Sequence, residues 1–212
     1  PDANHYIETL DKDDPFKVIY GVEGYVVDDM TDIAVNAGAQ TLDDTYIVFD
    51  IETTGFSSIR DRIIEIGAVK VVNGRIVDRF STFVNPQRPI PFEITNLTSI
   101  TDEMVMDSPA IDVILPQFLE FIGDGVLVAH NAGFDVGFIE QNCRNLGLND
   151  HFVYLDTVAL ARVLLPTLSK YKLNVVAKAL NISLENHHRA VDDAGATAEI
   201  FVKFVEMLKK DN

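Results

Sequence analysis

Residues 45–84 read TYIVFDIETTGFSSIRDRIIEIGAVKVVNGRIVDRFSTFV, and this stretch decides the fold. TYIVFDIE is rich in β-branched and aromatic residues and ends at the turn-like TTG, and RIIEIGAVKVV is a second run of the same kind. Asn73-Gly74 joins it to a third run, RIVDRFSTFV, and Asn-Gly between two β-type runs is the strongest short hairpin signal. Three successive antiparallel strands are therefore expected.

Beyond them comes a proline-rich loop, NPQRPIP (85–91), and a short polar stretch, NLTSITDEM (96–104). SPAIDVILPQFLEFIG reads as a helix, GVLVAHN as a short strand, and AGFDVGFIEQNCRNLG as a helix closed near Gly147. FVYLD is a further strand, after which Asp156 and Thr157 are placed to cap the helix TVALARVLL ahead of Pro166. KLNVVAKAL is another helix, and the last runs from about Arg189 to Lys210. Antiparallel strands followed by alternating helix and strand imply an α/β class: a mixed sheet, first antiparallel and then parallel, with helices on both faces. No internal repeat or low-complexity segment interrupts the pattern.

Residues 1–44 contrast with this. They contain one short apolar run, KVIYGVEGYVVDD, and look like an incomplete unit, with the main domain expected over residues 45–212. The chain begins with Pro1, which suggests a piece of something longer. A hydrophobic content of 47% with 24% charged residues is that of a soluble globular protein, and no apolar run approaches the ~20 residues that span a bilayer. With no secretory signal either, the reading is cytoplasmic, with no membrane partner. The single cysteine, Cys143, makes no internal disulfide and reads as a reduced thiol without a role.

A net charge of −16 argues at first against a nucleic-acid partner, because phosphate is normally met by a basic surface. Its distribution weakens that objection. Residues 1–44 hold 11 acidic and two basic residues, which leaves −7 on the other 168. If four of those carboxylates bind divalent metal, the region is close to −3, and a chain that meets phosphate through cations tolerates acidity.

Side chains alternate on a strand, so Asp50 and Glu52 of FDIETTG project to the same side. Two carboxylates so placed repel unless a positive charge sits between them, and oxygen donors of this type suit Mg²⁺ or Mn²⁺. Read from the spacing alone, one of them can equally cap a turn while the other is solvated. In HNAGFD (130–135), Asn131 reads as a helix N-cap and Asp135 falls in the first turn, where the helix dipole favours a carboxylate. Capping alone explains both, but they follow a strand, where ligand sites in open sheets gather. In ENHHRAVDDAGATA (185–198), a helical stripe runs through Val191, Ala194, Ala198, Phe201, Val205 and Leu208 and is expected to face the core. Asp192 then points to water at about 150° from that stripe, and Asp193 lies at its edge at about 110°. His187 and His188 precede the helix, and the period does not orient them.

Taken in order, D-I-E-T-T-G, H-N-A-G-F-D, Y-L-D-T and H-R-A-V-D-D-A resemble the DEDDh family of 3′→5′ exonucleases, across roughly residues 45–208. The resemblance implies a ribonuclease H-like fold and an enzyme. The matching positions are Asp50 and Glu52, Asp135, and then His188 and Asp193. His187 and Asp192 share the last spacing, and the helix phase rejects them. Within the family, KVIYGVEGYVVDD, the HRAVDDAGATA form of the third motif and VAHN-A-x-FD look like the proofreading exonucleases of PolC-type replicative DNA polymerases of Gram-positive bacteria. There the exonuclease is inserted in a PHP domain, of which residues 1–44 would be a remnant, and the rest of the polymerase polypeptide would be a partner.

The resemblance further implies phosphodiester hydrolysis at a DNA 3′ end, single-stranded or frayed from a primer terminus, with two Mg²⁺ or Mn²⁺ ions roughly 3.5–4 Å apart. Asp50, Glu52 and Asp193 would hold the ion that binds the attacking water. Asp50 would bridge to the second ion, with Asp135 acting there directly or through water. His188 would be the general base. Thr53, Leu97, Thr98 and Phe134 would line the slot for the terminal nucleotide, with Leu97 or Phe134 packing on a base. Leu97 and Phe134 read equally as core. Ser99 departs from the glycine of the family's L-T-G-I-T segment. Two rivals remain at this point: a stand-alone family member acting on RNA or single-stranded DNA, and a catalytically inactive module that binds a polymerase.

Overall fold

Antiparallel pairing of the three expected strands builds half of the sheet. The computed structural model describes residues 32–184 and 189–210. In it β1 (Ala34–Val35), β2 (Tyr46–Thr53), β3 (Ile63–Val72), β4 (Arg75–Phe83), β5 (Val126–Ala129) and β6 (Tyr154–Asp156) form one sheet. Its order is β1-β6-β5-β2-β3-β4. β2, β3 and β4 are antiparallel neighbours, whereas β5 runs parallel to both β2 and β6. The turn between β3 and β4 has φ of 51° at Asn73 and 71° at Gly74, the paired left-handed geometry that Asn-Gly tolerates. The mixed α/β class expected from the sequence is the one observed.

The sheet also reaches back past Thr45. Ala34 and Val35 pair antiparallel with Leu155 and Tyr154, so the segment ahead of the expected domain start supplies an edge strand.

Seven helices are described: α1 (Phe92–Thr98), α2 (Asp102–Val105), α3 (Ile111–Ile122), α4 (Ala132–Leu146), α5 (Thr157–Leu164), α6 (Leu173–Ala179) and α7 (Ala190–Lys210). The polar stretch between residues 96 and 104 holds the end of α1 and most of α2. Both are too short for a period to show. Ser99 ends α1 at φ 61°, a left-handed position where glycine carries no Cβ penalty, which explains the family's preference there.

The core lies on both faces of the sheet. Ile47, Phe49 and Ile51 of β2 point into a cluster with Phe118, Phe138 and Ile139 of α3 and α4. Tyr46 and Val48 point the other way, to Ile200, Phe201 and Phe204 of α7. Each such buried side chain contributes roughly 1.5–3 kcal/mol. Cys143 is enclosed in the first cluster, where burial pushes its thiol up to about 11, matching an inert thiol. Among the described residues no helix is long and apolar enough to cross a membrane.

Candidate active site

Because β2, β5 and β6 are parallel, their C-terminal ends meet at one edge of the sheet, the place where open sheets hold ligands. Asp50 and Glu52 stand there on the α7 face, two residues apart. A bulge marks the spot. Glu52 pairs with Glu65 but Thr53 pairs with Ile63, leaving Ile64 as the extra residue, and such irregularities re-aim side chains beside functional sites.

α7 brings the third carboxylate. Asp193 is buried, Asp50 and Glu52 are partly so, and oxygens of all three lie within 4.8 Å of one another. Asp135, in the first turn of α4, is also buried and accepts a hydrogen bond of 3.1 Å from the Ile51 backbone N–H. The four carboxylates share a cavity of about 200 Å³ with His130, Asn131, Phe134 and Leu173. A larger cavity of about 540 Å³ lies at the opposite end of β2 and β5, near Gln40, Lys70 and Asp124, without such a cluster. Size does not place the chemistry here.

Electrostatics reinforce the geometry. Burial, and then the negative charges of Asp135, Glu52 and Asp193, hold the Asp50 carboxyl well above its ordinary range. Glu52 is pushed up to about 8 by burial and by Asp193 and Glu65, with Arg189 opposing. Asp135 is raised by burial against the pull of its backbone hydrogen bonds. A cluster of oxygen donors that repel one another in the absence of a cation is a donor set suited to a hard divalent ion.

Several expectations are corrected. Asn131 is no side-chain cap: its backbone is left-handed at φ 72° and its side chain makes no capping bond. The N–H groups of Asn131 and Ala132 are met instead by the Asp156 carboxylate at 3.2 and 3.1 Å, and the same carboxylate caps α5 through Val158 N–H. The buried face of α7 runs through Ala190, Asp193, Ala194, Thr197, Ile200, Phe201 and Phe204, rotated by roughly 70° from the apolar stripe read in the sequence. Asp193 is thus within the buried face, not at its edge, and Asp192 is half-buried and not fully in water. Small residues let α7 turn its carboxylate-bearing side onto the sheet.

Of the residues expected to line a nucleotide slot, Phe134 lines the cavity and packs on Phe138 and Phe56 at ring separations of 5.1 and 6.4 Å. The Thr53 hydroxyl donates to the Gly55 carbonyl, and that of Thr98, in a buried side chain, donates to the Ile94 carbonyl. Leu97 is exposed on α1 and is not among the residues lining the cavity. His187 and His188 lie outside the described residues.

Sequence reasoning missed His130. Its Nε2 lies 2.8 Å from the Tyr171 carbonyl, which accepts only, so Nε2 carries the proton. Nδ1 is 2.9 Å from the Thr157 hydroxyl, and burial lowers the ring's pKa. With both ring nitrogens in hydrogen bonds, His130 is a strut of the cavity wall and not a free base. No spacing signal marked it.

A family model described as Exonuclease matches residues 47–201. The chain is 59% identical over 200 residues to "DNA polymerase III PolC-type" of Clostridium perfringens (strain 13 / Type A), covering 94% of the chain. It is 54% identical over 194 residues to the protein of that name from Caldanaerobacter subterraneus subsp. tengcongensis, covering 92%. The chain spans about 14% of the length of each of these curated relatives. Among solved structures, exonuclease X in complex with 5′ overhanging duplex DNA aligns with a TM-score of 0.63 at 30% identity, covering 76% of this chain and 92% of that one. The family match begins in β2 and ends in α7, so it takes in every carboxylate of the cluster and all strands of the sheet after β1: the chain belongs to the exonuclease family.

Proposed function

We propose that this chain is a divalent-cation-dependent 3′→5′ exonuclease that removes nucleoside monophosphates from DNA 3′ ends, proofreading for a replicative polymerase of which it is a segment. The observation that carries this reading is the meeting of Asp50, Glu52 and Asp193, from a strand and a helix far apart in sequence, within 4.8 Å, with Asp135 completing the cavity wall. The relatives in which this chain spans 14% of the length favour a segment over a stand-alone enzyme, and the DNA bound to exonuclease X favours DNA as substrate. Of residues 1–44, those ahead of β1 would then belong to a preceding PHP region, while Ala34 and Val35 complete the edge of the exonuclease sheet.

Divalent cations, Mg²⁺ or Mn²⁺ and two in number, would supply charge neutralisation at the phosphate and lower the pKa of the attacking water. Asp50, Glu52 and Asp193 would hold one ion, and Asp50 and Asp135 would serve a second. Asp135 is kept in place by Ile51 N–H. Phe134 offers a ring to the terminal base from the cavity wall. His188 takes the proton from the attacking water, a task left open by His130, whose nitrogens are occupied.

The test is digestion of a 3′-mismatched primer–template and of matched RNA with Mg²⁺ or Mn²⁺, with Asp50→Ala as control. Metal-dependent release of mononucleotides from the mismatched 3′ end, absent in the control, is expected. Faster loss of RNA would move the reading to an RNA-trimming enzyme, and no digestion with either metal would reduce it to a binding module.

A further inference from the structure

One buried carboxylate near the cluster is not part of it. Glu65 lies on β3 directly opposite Glu52 and is 1% exposed. Its Oε1 accepts from Arg189 Nη2 at 2.9 Å and Nε at 3.2 Å, and its Oε2 accepts from Nε at 3.3 Å and from the Ala190 backbone N–H at 3.1 Å. Both oxygens are therefore engaged by the start of α7, and the Arg189 guanidinium also sits 5.2 Å over the Phe83 ring. Two residues along β3, Gly67 marks how closely the helix approaches. A Cβ there would lie 2.1 Å from Val191 N and 2.2 Å from the Ala190 carbonyl carbon, so helix backbone rests directly on strand backbone.

The Arg189 carbonyl accepts the Asp193 N–H at 3.0 Å, which places Asp193 one turn along a helix whose first residue is held by Glu65. Gly67 sets the depth of that turn, and the bidentate pair sets its direction. Stability alone does not account for the pair, because buried ion pairs are commonly matched or exceeded by apolar replacements of similar size. A directional fork, by contrast, fixes the position of a neighbouring ligand.

We propose that Glu65 and Arg189 are positioning residues, a clamp between β3 and the first turn of α7 that sets where the Asp193 carboxylate meets Asp50 and Glu52 and so tunes the cluster's affinity for a divalent cation. This rests on the exonuclease reading above. The pair takes no part in ligation, since the acceptors of Glu65 are already filled.

Arg189→Lys and the double variant Glu65→Leu/Arg189→Met, made in the 212-residue chain, test the clamp. Three measurements are needed: thermal unfolding, Mn²⁺ affinity by titration calorimetry, and kcat and KM on 3′-labelled single-stranded DNA. A folded double variant is expected to bind Mn²⁺ about ten- to a hundredfold more weakly and to lose kcat in proportion, with Arg189→Lys intermediate. KM for DNA should stay within about twofold, because the pair does not touch substrate. A folded double variant with unchanged Mn²⁺ affinity and kcat overturns the proposal. So does an unfolded double variant accompanied by an Arg189→Lys chain that binds Mn²⁺ normally, since the pair would then serve stability alone. Should the unaltered chain bind Mn²⁺ without degrading DNA, the exonuclease reading fails by itself, and the Mn²⁺ affinities still decide the clamp.

Discussion

Strand β2 has two unlike sides. On one, Ile47, Phe49 and Ile51 enter an apolar cluster under α3 and α4, and every contact favours folding. On the other, Tyr46 and Val48 begin a similar packing under α7, but Asp50 and Glu52 replace its continuation with charge. The backbone is shared. The difference is that one side stabilises the fold, while the other gathers carboxylates whose burial as anions opposes it, a donor set suited to a divalent cation. Residues whose burial works against stability are the ones gathered at the candidate site.

Substituting Asp50 by Asn breaks the contrast most sharply. The kcat/KM on DNA is expected to fall by about three decades, ~4 kcal/mol of transition-state stabilisation, while the metal-free chain unfolds at a higher temperature than before. Equal or lower metal-free stability would show that the α7 side is not under charge strain. On the opposite side, Phe49→Ala should cost about 3–5 kcal/mol of stability in denaturant unfolding and leave the Mn²⁺ affinity of the folded chain unchanged. A loss of metal affinity there would mean that the two sides are not independent.

His188→Ala asks whether the chemistry on the α7 side extends past the carboxylates. Turnover should drop about a hundredfold or more with Mn²⁺ binding retained, and normal turnover would dismiss His188 as base.

The smallest effect concerns pH. Glu52 rises from 4.5 to about 8 on folding, so the folded state holds the extra proton. Its contribution is complete below 4.5 and is lost as pH rises through about 8. Without metal, stability should therefore decline by about 2 kcal/mol as pH rises from about 5 to about 8, allowing for the partial solvent access of this side chain. Thermal melts in chelator should show the decline, and saturating Mg²⁺ should abolish it. A flat profile in chelator would remove the strain from Glu52.

Much of this was legible in the chain. Asn73-Gly74 announced its hairpin because the turn geometry is local, and alternation alone put Asp50 and Glu52 on one side of β2. Asp156 was read as the cap of one helix, but it caps two, since β6 ends beside the start of α4. The two short helices α1 and α2 span too few residues for periodicity to show. The buried face of α7 departs from its apolar stripe because a carboxylate and a threonine, Asp193 and Thr197, are among the buried residues.

The sequence by itself determined the type and succession of strands β2 to β6 and of the longer helices, since these depend on residues a few positions apart, while β1 escaped it and the choice of Asp50, Glu52, Asp135 and Asp193 came from the family resemblance. Tertiary structure alone decided that Asp193 meets Asp50 and Glu52, that His130 is tied at both nitrogens, and that Glu65 belongs to Arg189 and not to the cluster. Those outcomes turn on the depth and rotation of α7 over Gly67 and on partners distant in the chain, whose contact energies no local window of sequence contains.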